Sequence, residues 1–175
     1  MIPYFSFVAW SGTGKTTYLE GLIAELKKRG ARVGVVKHDA HTFQIDQEGK
    51  DSWRFAQAGA DAVAVADGGK WALMDYRPAP LDTLLSRFRD VDLILVEGWH
   101  SEAEHTIALH RAGSGKGFKA DIAACIAAVS DTAPDTGDVP LFPLDDPAPL
   151  AEFLLDKIGF AAPGARRAGP CRAVK

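Results

Sequence analysis

The segment from Ala9 to Thr17 constrains the fold of this chain more than any other part of the sequence. It reads Ala-Trp-Ser-Gly-Thr-Gly-Lys-Thr-Thr and follows an apolar run from Tyr4 to Val8. After it, apolar residues recur at the spacing of one helix face. A glycine-rich turn between a strand and a helix is the setting of a phosphate-binding loop. The sequence therefore predicts an α/β P-loop NTPase fold and nucleotide binding.

Each residue type in this loop has a chemical reason to be there. Glycines allow backbone angles that turn successive N–H groups toward a phosphate, and the helix N-terminus adds a favourable dipole. We expect Lys15 to reach the β- and γ-phosphates and the Thr16 hydroxyl to bind Mg²⁺. One departure is Ala9, which stands where such loops usually begin with glycine. The predicted nucleotide-binding residues of the loop are Ser11, Gly12, Thr13, Gly14, Lys15, Thr16 and Thr17.

Length and charge indicate one globular domain that does not bind nucleic acid. The 175 residues are 47% hydrophobic, which predicts a single domain with a sizeable core over residues 1–160. Residues 161–175 hold four cations and no acid, and their Ala, Gly, Pro and Arg content predicts a disordered basic tail. Without those cations the body carries 16 basic and 23 acidic groups, a charge of −7. Such a body lacks the clustered basic face that nucleic acid requires.

Cysteine usage and hydropathy predict a cytoplasmic protein. The two cysteines, Cys125 and Cys171, lie in an apolar run and in the tail, settings that argue against a disulfide. No apolar run approaches the roughly 20 residues that a membrane span needs, and the N-terminus does not have the pattern of a signal peptide. We therefore expect neither a membrane partner nor secretion.

Strand-like and helix-like segments alternate along the chain, which predicts a mostly parallel sheet flanked by helices. Asp67-Gly68-Gly69 separates two short apolar runs and predicts a β-hairpin insertion. The predicted strands cover residues 4–8, 32–37, 62–66, 70–76, 91–96, 106–110 and 123–129. The predicted helices, besides the one that follows the phosphate loop, cover residues 51–58, 80–88 and 147–158.

Glu97 directly follows the predicted buried strand 91–96, which ends in the apolar run Leu93-Ile94-Leu95-Val96. Ligand groups of a parallel sheet gather beyond the carboxyl ends of its strands, so Glu97 is expected beside the phosphate loop if the two strands are neighbours. A carboxylate there would hold a metal-bound water. Glu97 is accordingly a predicted metal and catalytic residue, with a solvated acid at a strand end as the alternative.

A third cluster, Lys37-His38-Asp39-Ala40-His41, follows the second predicted strand and is expected at the same edge of the sheet. Asp39 is a predicted metal and catalytic residue, because it would bind Mg²⁺ through water or orient a water that attacks the γ-phosphate. The two histidines raise the alternative of a zinc or nickel site. Their loop spacing, without a nearby cysteine, favours a switch-like loop. His110-Arg111, at the end of another strand, could contact phosphate or a partner, or be exposed.

Four segments together resemble the molybdopterin-guanine dinucleotide biosynthesis adaptor protein B family (MobB). The resemblance extends over residues 2–158, and the Lys-His-Asp-Ala-His block with Gly-Lys-Asp-Ser is more specific than the phosphate loop. The four segments are residues 11–17, 33–41, 49–52 and 96–98. The sequence departs from the family pattern at Ala9 and at His100, where lysine is expected after the Glu-Gly pair.

The resemblance implies a GTP-binding homodimer with weak GTPase activity. Members of this family assist the guanylyltransferase that joins GMP to the molybdenum cofactor. The implied cofactors are GTP and Mg²⁺, and the implied partners are that transferase and molybdopterin or the molybdenum cofactor itself. Carried over by position, the loop residues would bind phosphates, with Thr16, Asp39 and Glu97 near the metal.

Guanine recognition needs another group, because the chain contains no asparagine and so lacks the Asn-Lys-x-Asp motif of many GTPases. Asp131 follows the predicted strand 123–129 and is expected at the ligand edge of the sheet. Its carboxylate would accept hydrogen bonds from guanine N1–H and the exocyclic amine, whereas adenine N1 is an acceptor. The alternative is that Asp131 caps the turn from Asp131 to Gly137.

Two other functions fit a phosphate loop. A small-molecule kinase such as an adenylylsulfate kinase has a similar Ser-Gly-x-Gly-Lys loop, but it also carries an arginine-rich lid, and no convincing lid is present. A metallochaperone whose nucleotide controls assembly is the second alternative. Comparing GTP with ATP in the presence of Mg²⁺ is the most informative measurement.

Overall fold

The computed structural model describes residues 1–38, 43–99 and 105–162. The described residues fall into two compact units, one within residues 1–38 and 85–162 and the other within residues 43–84. Asp39, His41 and His100 lie outside the described residues, as does most of the predicted tail. Predictions about those residues stay predictions, and so does the single domain predicted over residues 1–160.

The elements follow one another in the α/β alternation that the sequence predicts. In chain order they are β1 (Tyr4–Val8), α1 (Lys15–Lys28), β2 (Val33–Lys37), α2 (Asp51–Gln57), β3 (Ala62–Ala66), β4 (Trp71–Asp75), α3 (Leu81–Leu85), β5 (Leu93–Glu97), β6 (Thr106–His110), β7 (Ala127–Ser130), β8 (Leu141–Pro143) and α4 (Ala148–Lys157). None of the helices in the described ranges is long and apolar enough to cross a bilayer.

The first unit is built on a six-stranded parallel sheet with the order β2-β5-β1-β6-β7-β8. Strand β1 lies between β5 and β6, so the loop that follows it emerges in the middle of the sheet. The carboxyl ends of β5 and β6 must then lie on either side of that loop. This order decides which side chains can reach a nucleotide.

Helices α1 and α4 pack together against the core of this sheet. Leu19, Leu22 and Leu26 recur on one face of α1 and are buried, as are Leu150 and Leu154 of α4. Burying a leucine side chain contributes about 1.5–3 kcal/mol, so this apolar face fixes the helix that carries the phosphate loop. The sheet contributes Phe5, Phe7, Leu93, Leu95, Ile107, Leu109 and Val129 to the same core.

The second unit contains the predicted hairpin. Strands β3 and β4 pair antiparallel, from Ala62 opposite Asp75 to Ala66 opposite Trp71. In the turn, the Asp67 carboxylate accepts hydrogen bonds from the N–H groups of Gly69 (2.8 Å) and Lys70 (2.9 Å). These two donors lower the pKa of Asp67 and hold the turn closed. The β-hairpin insertion is confirmed.

One local prediction is wrong, and one strand has no counterpart among the predictions. Strand β7 begins at Ala127 rather than residue 123, because Ile122–Ala124 form a 3-10 turn in which the Asp121 side chain accepts a hydrogen bond from the Ala123 N–H. Strand β8 was not predicted at all. It is three residues long, is preceded by Pro140 and ends on Pro143, so it has almost no periodicity to read.

Candidate nucleotide-binding site

The phosphate loop joins β1 to α1 with the backbone angles that the glycine positions predict. Gly12 (φ 81°) and Gly14 (φ 88°) both have positive φ, and Gly14 caps the N-terminus of α1. The Thr13 hydroxyl donates a hydrogen bond of 2.7 Å to the Trp10 carbonyl and holds the turn. The departure at Ala9 carries no strain, because this residue has no positive φ and is buried in the core.

Glu97 lies beside this loop because β5 pairs with β1, with Glu97 opposite Phe7. Its Oε1 accepts a hydrogen bond from the Thr16 hydroxyl at 3.1 Å and lies 3.6 Å from the Lys15 ammonium. The side chains of Lys15 and Glu97 are only 17% and 11% exposed, so this ion pair is screened far less than a surface pair. The structure thus brings the predicted loop lysine, hydroxyl and acid together.

The chemistry of this donor set fits Mg²⁺. A hydroxyl oxygen and a carboxylate oxygen, 3.1 Å apart, are the hard ligands that Mg²⁺ prefers alongside water and phosphate. A zinc or nickel site would need a cluster of nitrogen or sulfur ligands. Among the described residues, no group of three or more His, Cys, Asp or Glu side chains is placed to hold a metal. The His38 ring packs against Trp99, with ring centroids 4.6 Å apart and ring planes tilted by 58°.

Gly98 allows the ends of β2 and β5 to approach closely at this edge. The His38 N–H donates a hydrogen bond of 2.8 Å to the Glu97 carbonyl. A Cβ on Gly98, whose φ is 87°, would lie 2.5 Å from the His38 carbonyl oxygen. Only glycine therefore fits directly after the predicted metal acid.

Asp131 lies at the carboxyl end of β7, on the other side of the loop strand. Its Oδ1 accepts a hydrogen bond of 2.8 Å from the Ala112 N–H, rather than from the turn that follows Asp131. The turn-capping alternative thus has no hydrogen bond to support it among the described residues. A cavity of about 370 Å³, within the size range of small-molecule sites, lies here. It is lined by Ser130, Asp131, Thr132, Leu141, Phe142, Pro143 and Asp145.

Arg111 is a site residue whose contact the sequence did not specify. Its Nε–H donates a hydrogen bond of 2.9 Å to the Thr13 carbonyl of the phosphate loop. The sequence did indicate that Arg111 follows a predicted strand and therefore lies near the edge where ligands bind. It could not show that this strand, β6, lies next to β1. A second link is the Trp10 indole, which donates to the Gly117 carbonyl at 3.0 Å.

Comparison with known proteins agrees with this geometry. Residues 4–131 match the sequence model of the family described as "Molybdopterin guanine dinucleotide synthesis protein B". The chain belongs to this family. The matched range includes the phosphate loop, Glu97, Arg111 and Asp131.

Two relatives from this family are similar over most of their length. The chain is 41% identical over 163 residues to the molybdopterin-guanine dinucleotide biosynthesis adapter protein of Escherichia coli (strain K12), covering 89% of this chain and 93% of that protein. It is 40% identical over 157 residues to the adapter protein of the same name from Haemophilus influenzae, covering 87% and 88%.

The fold is also that of a solved family member. The crystal structure of Bacillus subtilis MobB matches with a TM-score of 0.72 and 27% identity, over 89% of this chain and 98% of the other. The predicted α/β fold is confirmed.

Proposed function

We propose that this protein is a GTP-binding adapter in molybdopterin-guanine dinucleotide biosynthesis, with slow Mg²⁺-dependent GTP hydrolysis. The observation that carries the proposal is the convergence of Lys15, Thr16 and Glu97 at one end of the phosphate loop. A cation, a hydroxyl and a carboxylate in this arrangement fit the phosphates and the metal of a nucleoside triphosphate. The names of the family relatives supply the pathway.

Each part of the site has a distinct task in this proposal. The loop N–H groups and Lys15 bind the phosphates, while Thr16 and Glu97 hold the magnesium ion directly or through water. Magnesium, when bound, neutralises charge that develops on the phosphates. Asp39 stays the predicted residue for orienting the attacking water.

We assign recognition of guanine to Asp131, and the strand order supports this assignment. Strands β1, β6 and β7 are adjacent, so the phosphate loop and the end of β7 lie at one edge of the sheet. One oxygen of Asp131 accepts a single hydrogen bond from Ala112. A carboxylate has about four lone-pair sites, which leaves acceptors for guanine N1–H and the exocyclic amine.

A homodimer is supported by the exposed apolar face of the hairpin. Opposite pairs Ala64–Leu73 and Ala66–Trp71 put four apolar residues on one face. Leu73 is 50% exposed and Trp71 is 73% exposed. A second copy of the chain would remove this surface from water. Trp71→Glu should therefore raise the dissociation constant in sedimentation equilibrium, and Ile45→Glu, also at a 73% exposed residue, should not.

The direct test is calorimetric titration with GTP and ATP, with and without Mg²⁺. We expect GTP to bind more tightly than ATP. Because the two nucleotides differ only in the base, this difference in affinity would report recognition of guanine. The partners are tested by reconstitution: the protein should accelerate GMP attachment to the molybdenum cofactor by the guanylyltransferase. Nucleoside diphosphate that forms only with an added small-molecule acceptor, without release of inorganic phosphate, would indicate a kinase instead. Stoichiometric transition-metal binding would indicate a metallochaperone.

A further inference from the structure

We infer that Arg111 is a positioning residue that holds the phosphate loop in register with the base-reading carboxylate of Asp131. The inference rests on the proposed function, because it concerns the same nucleotide site. Among the described residues, the Arg111 side chain forms no hydrogen bond or ion pair with Glu97 or Lys15, so this role is distinct from theirs. Three sets of contacts support it.

The first set joins Arg111 to the phosphate loop. Its Nε–H donates to the Thr13 carbonyl at 2.9 Å. A Cβ built on Gly14 would lie 3.0 Å from Nη2 of the same guanidinium. The planar group therefore lies against the main chain immediately before Lys15. It restrains the peptide whose neighbours donate N–H groups to phosphate, and its charge adds to the positive potential of the loop.

The second set joins the next residue to the base site. The Ala112 N–H donates to Asp131 Oδ1 at 2.8 Å. Arg111 and Ala112 are linked by a planar peptide bond, and Arg111 is extended (φ −133°, ψ 121°). Strand β6 lies between β1 and β7, so consecutive residues at its end reach both sides. A shift of the loop must then shift the group that orients Asp131.

The third set attaches the following segment to the same loop. The Trp10 indole N–H donates to the Gly117 carbonyl at 3.0 Å. The Lys116 ammonium lies 5.0 Å from the centroid of the Trp10 ring, within cation–π range. The segment from Arg111 to Gly117 is thereby fixed to the phosphate loop at both ends. Of the two ends, only the one at Arg111 is also connected to the base site, through the hydrogen bond from Ala112 to Asp131.

The first experiment measures coupling between the two contacts. Arg111→Ala, Asp131→Ala and the double variant are titrated with GTP and Mg²⁺. We expect Arg111→Ala to weaken GTP binding about 10-fold, and the loss in the double variant to fall about three- to tenfold short of the product of the single losses. Arg111→Lys, which keeps the positive charge and N–H donors but not the planar guanidinium, should recover part of the affinity.

Arg89→Ala is the matched control. Arg89 also donates to a main-chain carbonyl, that of Phe88 at 2.9 Å, but it precedes β5 at the opposite edge of the sheet. In the double variant Arg89→Ala/Asp131→Ala, the loss of GTP affinity should equal the product of the two single losses. If the loss of GTP affinity in the Arg111→Ala/Asp131→Ala variant also equals the product of its single losses to within twofold, the inference is overturned.

The second experiment uses no nucleotide, so it separates this inference from the proposed function. Amide hydrogen exchange should accelerate in Arg111→Ala at two segments, residues 10–14 and 131–132, and stay unchanged in Arg89→Ala. If exchange accelerates in only one of the two segments, or in neither, Arg111 does not hold the phosphate loop in register with Asp131. If wild-type protein binds no GTP, the proposed function fails, and the exchange pattern still decides whether Arg111 links the two loops.

Discussion

The Thr16 hydroxyl donates a hydrogen bond to the Glu97 carboxylate at 3.1 Å across a separation of 81 residues. The same oxygen of Glu97 lies 3.6 Å from the Lys15 ammonium. Two consecutive residues of the phosphate loop thus share one acid from the neighbouring strand. Any ligand that draws Lys15 toward phosphate must compete with Glu97, and in the proposed function Mg²⁺ would supply the charge that compensates this acid.

Replacing Glu97 with glutamine tests the metal role. The amide keeps the size of the side chain but removes the negative charge that faces the metal, so we expect Mg²⁺-dependent hydrolysis to fall about 10- to 100-fold while GTP binding changes less. A phosphate-release assay across a magnesium titration measures it. Glu20→Gln, on the exposed face of α1, is the control. Equal rates in wild type and Glu97→Gln at every magnesium concentration would exclude the role.

Replacing Lys15 with alanine tests the phosphate contact. A charge-assisted hydrogen bond contributes about 1.5–3 kcal/mol, so GTP affinity should fall about 10- to 100-fold. Calorimetry measures the affinity, and circular dichroism checks that the variant is folded. Lys27→Ala, an exposed lysine in the last turn of the same helix, should bind GTP like the wild type. A folded Lys15→Ala variant with unchanged affinity would disprove the assignment of the loop.

Replacing Asp131 with asparagine tests the reading of the base. The new side chain still offers an oxygen to the Ala112 N–H, so the loop should keep its structure, but its amide donates where guanine donates. We expect GTP binding to weaken about 10-fold or more and xanthosine triphosphate, which has a carbonyl in place of the guanine amine, to bind better. A competition binding assay with GTP and xanthosine triphosphate measures this change in nucleotide preference. Unaltered selectivity would mean that another group reads guanine.

Replacing Gly98 with alanine tests the close approach at the predicted metal site. The added Cβ would lie 2.5 Å from the His38 carbonyl oxygen at φ 87°. Backbone strain and overpacking together should lower the free energy of unfolding by about 2–5 kcal/mol, measured by urea denaturation. Gly137→Ala provides the comparison, because Gly137 has φ 58° and nothing within 4 Å of its Cβ position. Its loss should be about 1–2 kcal/mol, from strain alone. Equal losses in both variants would contradict the close-contact account.

Local sequence patterns predicted most of the elements correctly. The apolar run of β1, the glycines of the loop and the helical spacing of α1 each specify structure over a few residues, because backbone angles and burial on one face are local properties. The hairpin was predictable for the same reason. Strand β8 and the 3-10 turn before β7 were missed, since three residues, or a single capping side chain, leave too little pattern to read.

By itself, the sequence determined the phosphate loop, the alternation of strands and helices, and the acids that end β5 and follow β7. Only the tertiary structure decided which of these groups meet. Strand order puts β5 on one side of β1 and β6 on the other, and this order gives Thr16 the carboxylate of Glu97 and gives Thr13 the guanidinium of Arg111. The physical reason is that strand neighbours are chosen by the packing of the whole sheet and its helices. Residues about 80 to 100 positions apart carry no local periodicity that would record such a choice.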